Sequence, residues 1–142
     1  MKSQPTFWSI IVPAYNETKR IYNLEKIFKY LGGLKESWEL IVVNDGSQDD
    51  TLKKLKLFEK KSNFKLISYG TNRGKGYAVK TGMLAASGKF RLFCDIDLST
   101  SIEEIRKFKP LLMKADIVIG TRKLKGARVI LHQSFLREYL GK

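Results

Sequence analysis

The 142-residue chain is long enough for one domain with a hydrophobic core and short for two. Its 27 Lys and Arg outnumber its 14 Asp and Glu, and the formal net charge of +13 favours anionic partners, namely phosphates, an anionic membrane surface or nucleic acid. The single cysteine, Cys94, excludes an internal disulfide and is expected to be a buried, inert thiol. No window approaches about 18 uninterrupted apolar residues, so the sequence predicts no transmembrane helix.

Apolar runs bounded by turn residues predict five strands, over residues 7–12, 38–43, 64–68, 89–94 and 116–120. Helices are predicted between them, over residues 18–31, from 48–50 to about 61, from the loop 70–76 to 86, and from 101 to the region that Pro110 weakens or bends. The first helix has apolar residues at helical spacing: Ile21, Leu24, Ile27, Phe28 and Leu31.

Strands that alternate with helices predict an α/β fold with a mostly parallel sheet, flanked by helices and joined by right-handed crossovers. Ligands of such sheets bind outside the carboxyl ends of the strands. Four loops of polar or acidic composition follow predicted strands and are expected at that edge: residues 13–17, 44–47, 95–100 and 121–122. We therefore predict the functional site at this edge of the sheet.

Asp95 and Asp97 directly follow the fourth predicted strand. In an extended segment, side chains two residues apart point the same way, so both carboxylates can face one crevice. Mg²⁺ and Mn²⁺ prefer such hard oxygen ligands, and Mg²⁺ is usually held by one or two carboxylates plus the phosphates of a substrate. A diphosphate–metal site is one interpretation, and a surface turn rich in Asp is the other.

Structural roles also compete for the remaining polar residues at this edge. The glycine-rich loop around Lys75 is neither a Walker loop nor a dinucleotide fingerprint, so it is either a flexible start of a helix or a phosphate contact through Lys75. Glu17 fits the first turn of a helix, where the dipole favours an acid. Asp45 fits an ordinary Asn-Asp-Gly-Ser turn, and Arg122 fits a surface cation.

Five segments together resemble the family 2 glycosyltransferases of the GT-A type. They are Ser-Ile-Ile-Val-Pro-Ala-Tyr-Asn-Glu (9–17), Val-Val-Asn-Asp-Gly-Ser (42–47), Asn-Arg-Gly-Lys-Gly (72–76), Asp-Ile-Asp-Leu-Ser-Thr (95–100) and Ile-Gly-Thr-Arg (119–122). Within the family, the sequence is most similar to the dolichyl- or polyprenyl-phosphate glucosyltransferases. The resemblance implies a Rossmann-like GT-A fold in a single domain, residues 1–142, that is incomplete at its C-terminus.

The resemblance implies a role for each matching position. Pro13, Tyr15 and Glu17 would line the nucleoside pocket, and Asp45 would hydrogen-bond the base. Asp95 would lie near the ribose and the metal.

The phosphate end of the site is implied in the same way. Asp97, with Asp95, would ligate the metal that bridges the donor's diphosphate. Lys75 and Arg122 would bind phosphate charge, and Arg128 is a weaker candidate. Ile96, between the two acids, stands where small residues are common, which narrows the pocket. The predicted catalytic residues are Asp95, Asp97 and Arg122.

The reaction that the resemblance implies is an inverting, Mg²⁺- or Mn²⁺-dependent transfer of a sugar from a nucleotide sugar to polyprenyl or dolichyl phosphate. UDP-glucose is the favoured donor and GDP-mannose the alternative, as in the related dolichyl-phosphate mannosyltransferases. The lipid acceptor predicts peripheral contact with the cytoplasmic face of a membrane.

Two other functions compete with this one. The first is a non-catalytic remnant that binds a nucleotide sugar without completing the transfer. The second is nucleic-acid binding, which charge alone supports. Nucleic-acid binding is not expected, because the lysines are scattered along helix faces rather than clustered with exposed aromatic residues.

Overall fold

Four parallel strands form one sheet in the part of the chain that the structure describes. The structure is a computed structural model, and it describes residues 5–120. The strands are β1 (Trp8–Ala14), β2 (Trp38–Asp45), β3 (Phe64–Tyr69) and β4 (Phe90–Phe93). Their order across the sheet is β3-β2-β1-β4, and every neighbouring pair is parallel. The predicted mostly parallel sheet is confirmed.

Helices follow the strands along the chain. They are α1 (Asn23–Gly32), α2 (Thr51–Lys56), α3 (Lys75–Ala85) and, after a 3₁₀ turn at Ile102–Glu104, the one-turn α4 (Ile105–Phe108). The chain divides into two units, Met1–Glu104 and Ile105–Lys142, and the first contains the sheet and α1 to α3. No helix within residues 5–120 is long and apolar enough to cross a membrane.

The two central strands, β1 and β2, carry the core. Ile10, Ile11 and Val12 of β1 are fully buried, as are residues 40–43 of β2. Continuous apolar runs of this kind are typical of parallel strands that are covered on both faces. α3 packs on these strands at close range, because a Cβ atom at Gly82 would overlap the side chain of Ile11. This packing directs the start of α3 to the carboxyl edge of the sheet.

The first helix begins later than predicted. α1 begins at Asn23 rather than at residue 18, and residues 18–22 form turns. The N–H of Glu17 donates to Thr51 Oγ1 at 2.7 Å, which ties this segment to the start of α2. A tertiary hydrogen bond therefore overrides the local helical pattern. The apolar stripe itself was predicted correctly, since its residues from Ile21 onward are buried or half-buried.

The second helix is shorter than predicted. It was expected to reach residue 61, but α2 ends at Lys56. The N–H groups of Leu57 and Phe58 then donate to carbonyls three residues back, in the tighter turns that often end a helix. Leu55 and Phe58 are buried.

Both central strands extend further than predicted. β1 continues to Ala14, although Pro13 was expected to end it. Its pairing with β4 stops at Ile11, so Pro13 lies where β1 is paired with β2 alone and its missing N–H removes no bond to β4. β2 ends at Asp45 rather than at Val43, which makes Asp45 the last residue of a central strand.

The fourth helix ends before Pro110. It was predicted from residue 101, but the segment forms a 3₁₀ turn followed by the single turn of α4, which ends at Phe108. The residue before a proline avoids helical backbone angles, so a helix usually stops short of it.

The predicted fifth strand is wrong. Residues 116–120 form no strand, and Ile117 and Ile119 are 78% and 79% exposed. A short apolar run becomes a strand only where a neighbouring strand offers N–H and C=O groups. Within residues 5–120, the sheet has four strands and none pairs with this segment.

Candidate functional site

Hydrogen bonds join the loops that follow β1 and β2. The N–H of Asn16 donates to Ser47 Oγ at 3.0 Å, and the N–H of Gln48 donates to Asn16 Oδ1 at 2.9 Å. Asn16 has a positive φ of 54°, which Asn tolerates better than most residues. The two loops predicted at the carboxyl edge, residues 13–17 and 44–47, therefore lie together.

The residues predicted to line the nucleoside pocket lie on the segment that leaves β1. Pro13 is half-buried within the strand, and the Tyr15 ring is exposed. Glu17 Oε2 lies 2.7 Å from Arg20 Nη1. The nucleoside contacts of these residues stay a prediction.

An open pocket of about 740 Å³ lies between the segment after β1 and the start of α2. Glu17 and Arg20 line this pocket, but Asp95 and Asp97 do not. The pocket therefore does not locate the predicted metal site. A hydrogen bond and charge from Glu17, and more weakly the charge of Asp97, raise the pKa of Arg20. Sequence reasoning missed Arg20, whose one signal is its position three residues after Glu17.

Asp45 holds the loop that precedes α3. Asp45 is 2% exposed, and its carboxylate accepts hydrogen bonds from the N–H of Arg73 at 2.8 Å and of Gly74 at 2.9 Å. Gly46 is packed against the same loop, because a Cβ there would lie 2.5 Å from the Asn72 nitrogen. Asp45 is more than a turn residue. Its predicted contact with a base stays a prediction.

Lys75 and Asp95 form an ion pair. Lys75 Nζ lies 2.6 Å from Asp95 Oδ1, and the two side chains are 58% and 41% exposed. Gly74, with φ 90° and ψ 154°, places Lys75 at the first position of α3. The structure thus brings together one predicted phosphate ligand and one predicted metal ligand, and leaves both open to solvent.

A turn sets the direction of the two acids. β4 ends at Phe93, so the strand alternation from which we predicted a shared face does not extend to Asp95 and Asp97. The N–H of Leu98, at φ 52°, donates to the Asp95 carbonyl, and the N–H of Ser99 donates to Asp97 Oδ1 at 2.9 Å. Asp97 is exposed and Asp95 is half-exposed, so both carboxylates are accessible.

The residue between the acids anchors the turn. Ile96 is 2% exposed, so its side chain belongs to the core rather than to an open pocket. Its carbonyl accepts a hydrogen bond from Nδ2 of the buried Asn23, the first residue of α1, at 2.9 Å. Sequence reasoning missed Asn23, because a single Asn near a helix start carries no signal of a partner 73 residues away.

Two titratable side chains at this edge lie near carboxylates, Cys94 near Asp95 and Asp97 and Tyr69 near Asp45. Burial, and then the charges of Asp95 and Asp97, raise the pKa of Cys94 to about 12. Burial, and then the Asp45 carboxylate, raise the pKa of Tyr69. Both side chains are therefore uncharged near neutral pH, and neither places a further negative charge beside the carboxylates. The protonated thiol agrees with the inert cysteine that we predicted, although Cys94 is half-buried rather than fully buried.

Two predicted phosphate ligands, Arg122 and Arg128, lie outside the described residues. Within residues 5–120, no cluster of three or more His, Cys, Asp or Glu side chains has the arrangement of a metal site.

The sequence profile of glycosyl transferase family 2 matches residues 9–130, which include β1 without Trp8, the other three strands and the turn that carries Asp95 and Asp97. This chain belongs to glycosyltransferase family 2. Among its relatives is the dolichyl-phosphate beta-glucosyltransferase ALG5D of Trichomonas vaginalis, 38% identical over 146 residues that cover 94% of this chain and 45% of the relative. The chain spans less than half the length of the curated relatives it matches.

Two solved structures share the fold of this family 2 glycosyltransferase. S. aureus TarS 1–349 in complex with UDP has a TM-score of 0.61 and 30% identity, covering 75% of this chain and 32% of TarS. Glucosyl-3-phosphoglycerate synthase from Mycobacterium tuberculosis, in complex with Mn²⁺, UDP and glucosyl-3-phosphoglycerate, has a TM-score of 0.58 and 27% identity, covering 79% of this chain and 42% of the synthase. The predicted GT-A fold class is confirmed.

Proposed function

We propose that this family 2 glycosyltransferase transfers glucose from UDP-glucose to a dolichyl or polyprenyl phosphate, with a divalent metal ion and with inversion at the anomeric carbon. The observation that carries the proposal is the pairing of Lys75 with Asp95 beside Asp97 at the carboxyl end of β4. This arrangement places a cation that can bind phosphate, Lys75, beside carboxylates that can bind a metal. The relatives named as dolichyl-phosphate beta-glucosyltransferases support the sugar and the acceptor.

The two acids fit a metal that arrives with its substrate. Asp95 and Asp97 are accessible, and neither is consumed by a buried hydrogen-bond network. Mg²⁺ is commonly held by one or two carboxylates, water and substrate phosphates, and Mn²⁺ accepts the same hard oxygen ligands. A complex of Mn²⁺ and UDP in the related synthase supports this choice of metal. When bound, such an ion supplies charge neutralisation for the departing diphosphate.

The chain's own residues would bind and orient the donor. Asp45 fixes the loop before α3, and Lys75 can then reach the diphosphate from the first turn of that helix. We extend the proposal to Arg122 and Arg128 as further phosphate ligands and to Tyr15 beside the nucleoside. Fixed cations stabilise the negative charge that the leaving group gains.

The acceptor explains why the proposal names no general base. A lipid phosphate is already an anion near neutral pH, so it can attack the anomeric carbon directly. A single displacement of this kind inverts that carbon. We also propose peripheral contact with the cytoplasmic face of a membrane, because the acceptor is a lipid and the net charge of +13 favours an anionic surface.

A second candidate is binding of a nucleotide sugar without transfer. The observation that favours it is that the described residues of the proposed site, Lys75, Asp95 and Asp97, are all assigned to the donor's diphosphate or the metal and none of them to the acceptor. All the residues that the first proposal assigns to the diphosphate serve this function equally well.

One experiment separates the two candidates. The full chain is incubated with radiolabelled UDP-glucose, Mn²⁺ and dolichyl phosphate in detergent, and lipid-linked glucose is extracted into organic solvent. Formation of labelled lipid supports transfer. Binding of UDP-glucose in Mn²⁺ with no labelled lipid supports the second candidate, and no binding at all contradicts both. GDP-mannose in a parallel reaction tests the alternative donor.

A further inference from the structure

The ion pair between Lys75 and Asp95 joins two groups that the proposed function assigns to different ligands. Lys75 is a candidate ligand of the diphosphate, and Asp95 is a candidate ligand of the metal. Yet Lys75 Nζ lies 2.6 Å from Asp95 Oδ1, at hydrogen-bond distance from an oxygen that a metal would use. An ammonium group and a divalent cation cannot both occupy that position, because like charges at contact distance repel strongly.

Hydrogen bonds hold the loop before Lys75, whereas the side chain of Lys75 is largely exposed. The two hydrogen bonds from Arg73 and Gly74 to the buried Asp45 hold the preceding loop. The Arg73 guanidinium also lies over the Tyr77 ring, 4.8 Å from its centroid. Beyond this fixed loop the Lys75 side chain is 58% exposed, and its four-carbon stem can swing between acceptors.

We propose that Lys75 is an internal counter-ion for Asp95 that moves to the diphosphate when the metal–nucleotide complex binds. This inference rests on the proposed function and adds an exchange of partners to it. In the free protein, Lys75 neutralises Asp95 and competes with a metal ion for the same oxygen. The nucleotide provides new acceptors for the ammonium, so Asp95 becomes free for the metal.

The exchange couples the two ligands. Metal alone must displace Lys75 without offering it a new partner, whereas metal with a diphosphate replaces the lost ion pair by a charge-assisted contact to phosphate. Each ligand therefore promotes the binding of the other, as linkage requires. Because exposed ion pairs are weak, we expect the competition to reduce the affinity for free metal by about two- to fivefold.

The alternative to a counter-ion role is that Lys75 is one surface cation among many. It would then act on metal and nucleotide through long-range charge alone, like any other lysine of α3. Lys80 offers a matched control, because it is an exposed lysine of the same helix and its replacement removes the same charge.

The test measures two affinities in Lys75→Gln, Lys75→Arg and Lys80→Gln variants of the full chain. Free Mn²⁺ is followed by electron paramagnetic resonance in a titration without nucleotide, and UDP binding in saturating Mn²⁺ is followed by calorimetry. Circular dichroism and thermal melting establish that each variant is folded, and exposed substitutions of this kind usually change stability little.

We expect Lys75→Gln to change the two affinities in opposite directions. Mn²⁺ alone should bind about two- to fivefold more tightly, and UDP in Mn²⁺ should bind about tenfold more weakly. Lys75→Arg should keep the weak metal binding, and Lys80→Gln should leave both affinities within about twofold.

The inference is overturned if Lys75→Gln behaves like Lys80→Gln, or if it weakens both affinities. If the wild-type chain binds UDP in Mn²⁺ but these patterns fail, the counter-ion role is lost and the proposed function stands. If the wild-type chain binds no UDP in Mn²⁺, the proposed function fails and the inference fails with it.

Discussion

Two regions at the carboxyl edge of the sheet use their polar groups differently. Where the loops after β1 and β2 meet, the N–H groups of Asn16 and Glu17 donate to the side chains of Ser47 and Thr51. Near the start of α3 and the end of β4, in contrast, Asp95 has an exposed lysine as its partner. Side chains engaged by backbone groups hold loops in place, whereas exposed carboxylates remain available to a ligand. The first region should therefore control stability and the second should control binding.

Asp45, the last residue of β2, holds the loop before α3 by accepting hydrogen bonds from two backbone N–H groups, as side chains of the first region do, and its removal should have the largest effect. Asp45→Ala leaves the half-buried hydrogen bonds from the N–H groups of Arg73 and Gly74 without an acceptor, and we expect a loss of about 2–5 kcal/mol in the free energy of unfolding. Urea denaturation followed by circular dichroism measures it. Asp45→Asn keeps one acceptor oxygen and should lose less stability. Asp116→Ala, at an exposed position, is the control, and an Asp45→Ala variant as stable as this control would refute the structural role of Asp45.

Asp97→Asn tests the second region. We expect UDP in Mn²⁺ to bind about ten- to a hundredfold more weakly, because the metal loses a charged ligand, with the fold unchanged because Asp97 is exposed. Calorimetry of UDP binding with and without Mn²⁺ is the measurement. Asp116→Asn removes the same charge from another exposed position. If the two variants bind UDP equally well, Asp97 has no metal role.

Thr51→Val tests the first region, where Thr51 accepts a hydrogen bond from the N–H of Glu17. Valine keeps the volume of this buried threonine but leaves the Glu17 N–H without its acceptor, so we expect a loss of about 1–2 kcal/mol in the free energy of unfolding. Thr51→Ser retains the hydroxyl and should recover part of it. Urea denaturation measures both, and a Thr51→Val chain as stable as the wild type would show that this bond holds nothing.

The smallest effect is expected from pH, through Asp49. Desolvation would raise the pKa of Asp49, but hydrogen bonds from Thr51 and Thr18 outweigh it and lower the pKa from 3.8 to about 2. A carboxylate with a depressed pKa stabilises the fold above about pH 4, and this contribution is lost as the pH falls through about 2. Asp49→Asn should therefore flatten the acid side of the stability profile. An unchanged profile between pH 4 and 2 would contradict this assignment, and thermal melting across that range provides the test.

The sheet was predictable where burial alone determines structure. The apolar runs 10–12 and 40–43 indicate covered parallel strands, and the spacing from Leu24 to Leu31 indicates one buried helix face. The start of α1 was not predictable, because the N–H of Glu17 binds a side chain 34 residues away. The apolar run 116–120 was wrongly predicted to be a strand for a related reason, because an apolar run does not show whether a partner strand is present.

In the candidate site, too, local sequence patterns were predictable and contacts between distant segments were not. Asp95 and Asp97 are visible in the sequence as a pair, but a surface turn rich in Asp gives the same pattern, so the pair gained weight only from the other polar loops expected at the same edge of the sheet. Their accessibility, however, depends on a turn rather than on the strand, and the pairing of Asp95 with Lys75 joins distant segments. The Asn23 bond to the acidic turn depends on a helix packed 73 residues away in sequence, which no local pattern records.

The central claim is that the carboxylates at this edge bind a metal together with a nucleotide diphosphate. Calorimetric titration of the wild-type chain with UDP, once in Mn²⁺ and once in EDTA, tests it most directly. The account predicts binding in Mn²⁺ that is at least about tenfold tighter than in EDTA, because the diphosphate then gains the metal as a shared ligand. Equal affinity in the two solutions, or no binding in either, would contradict it.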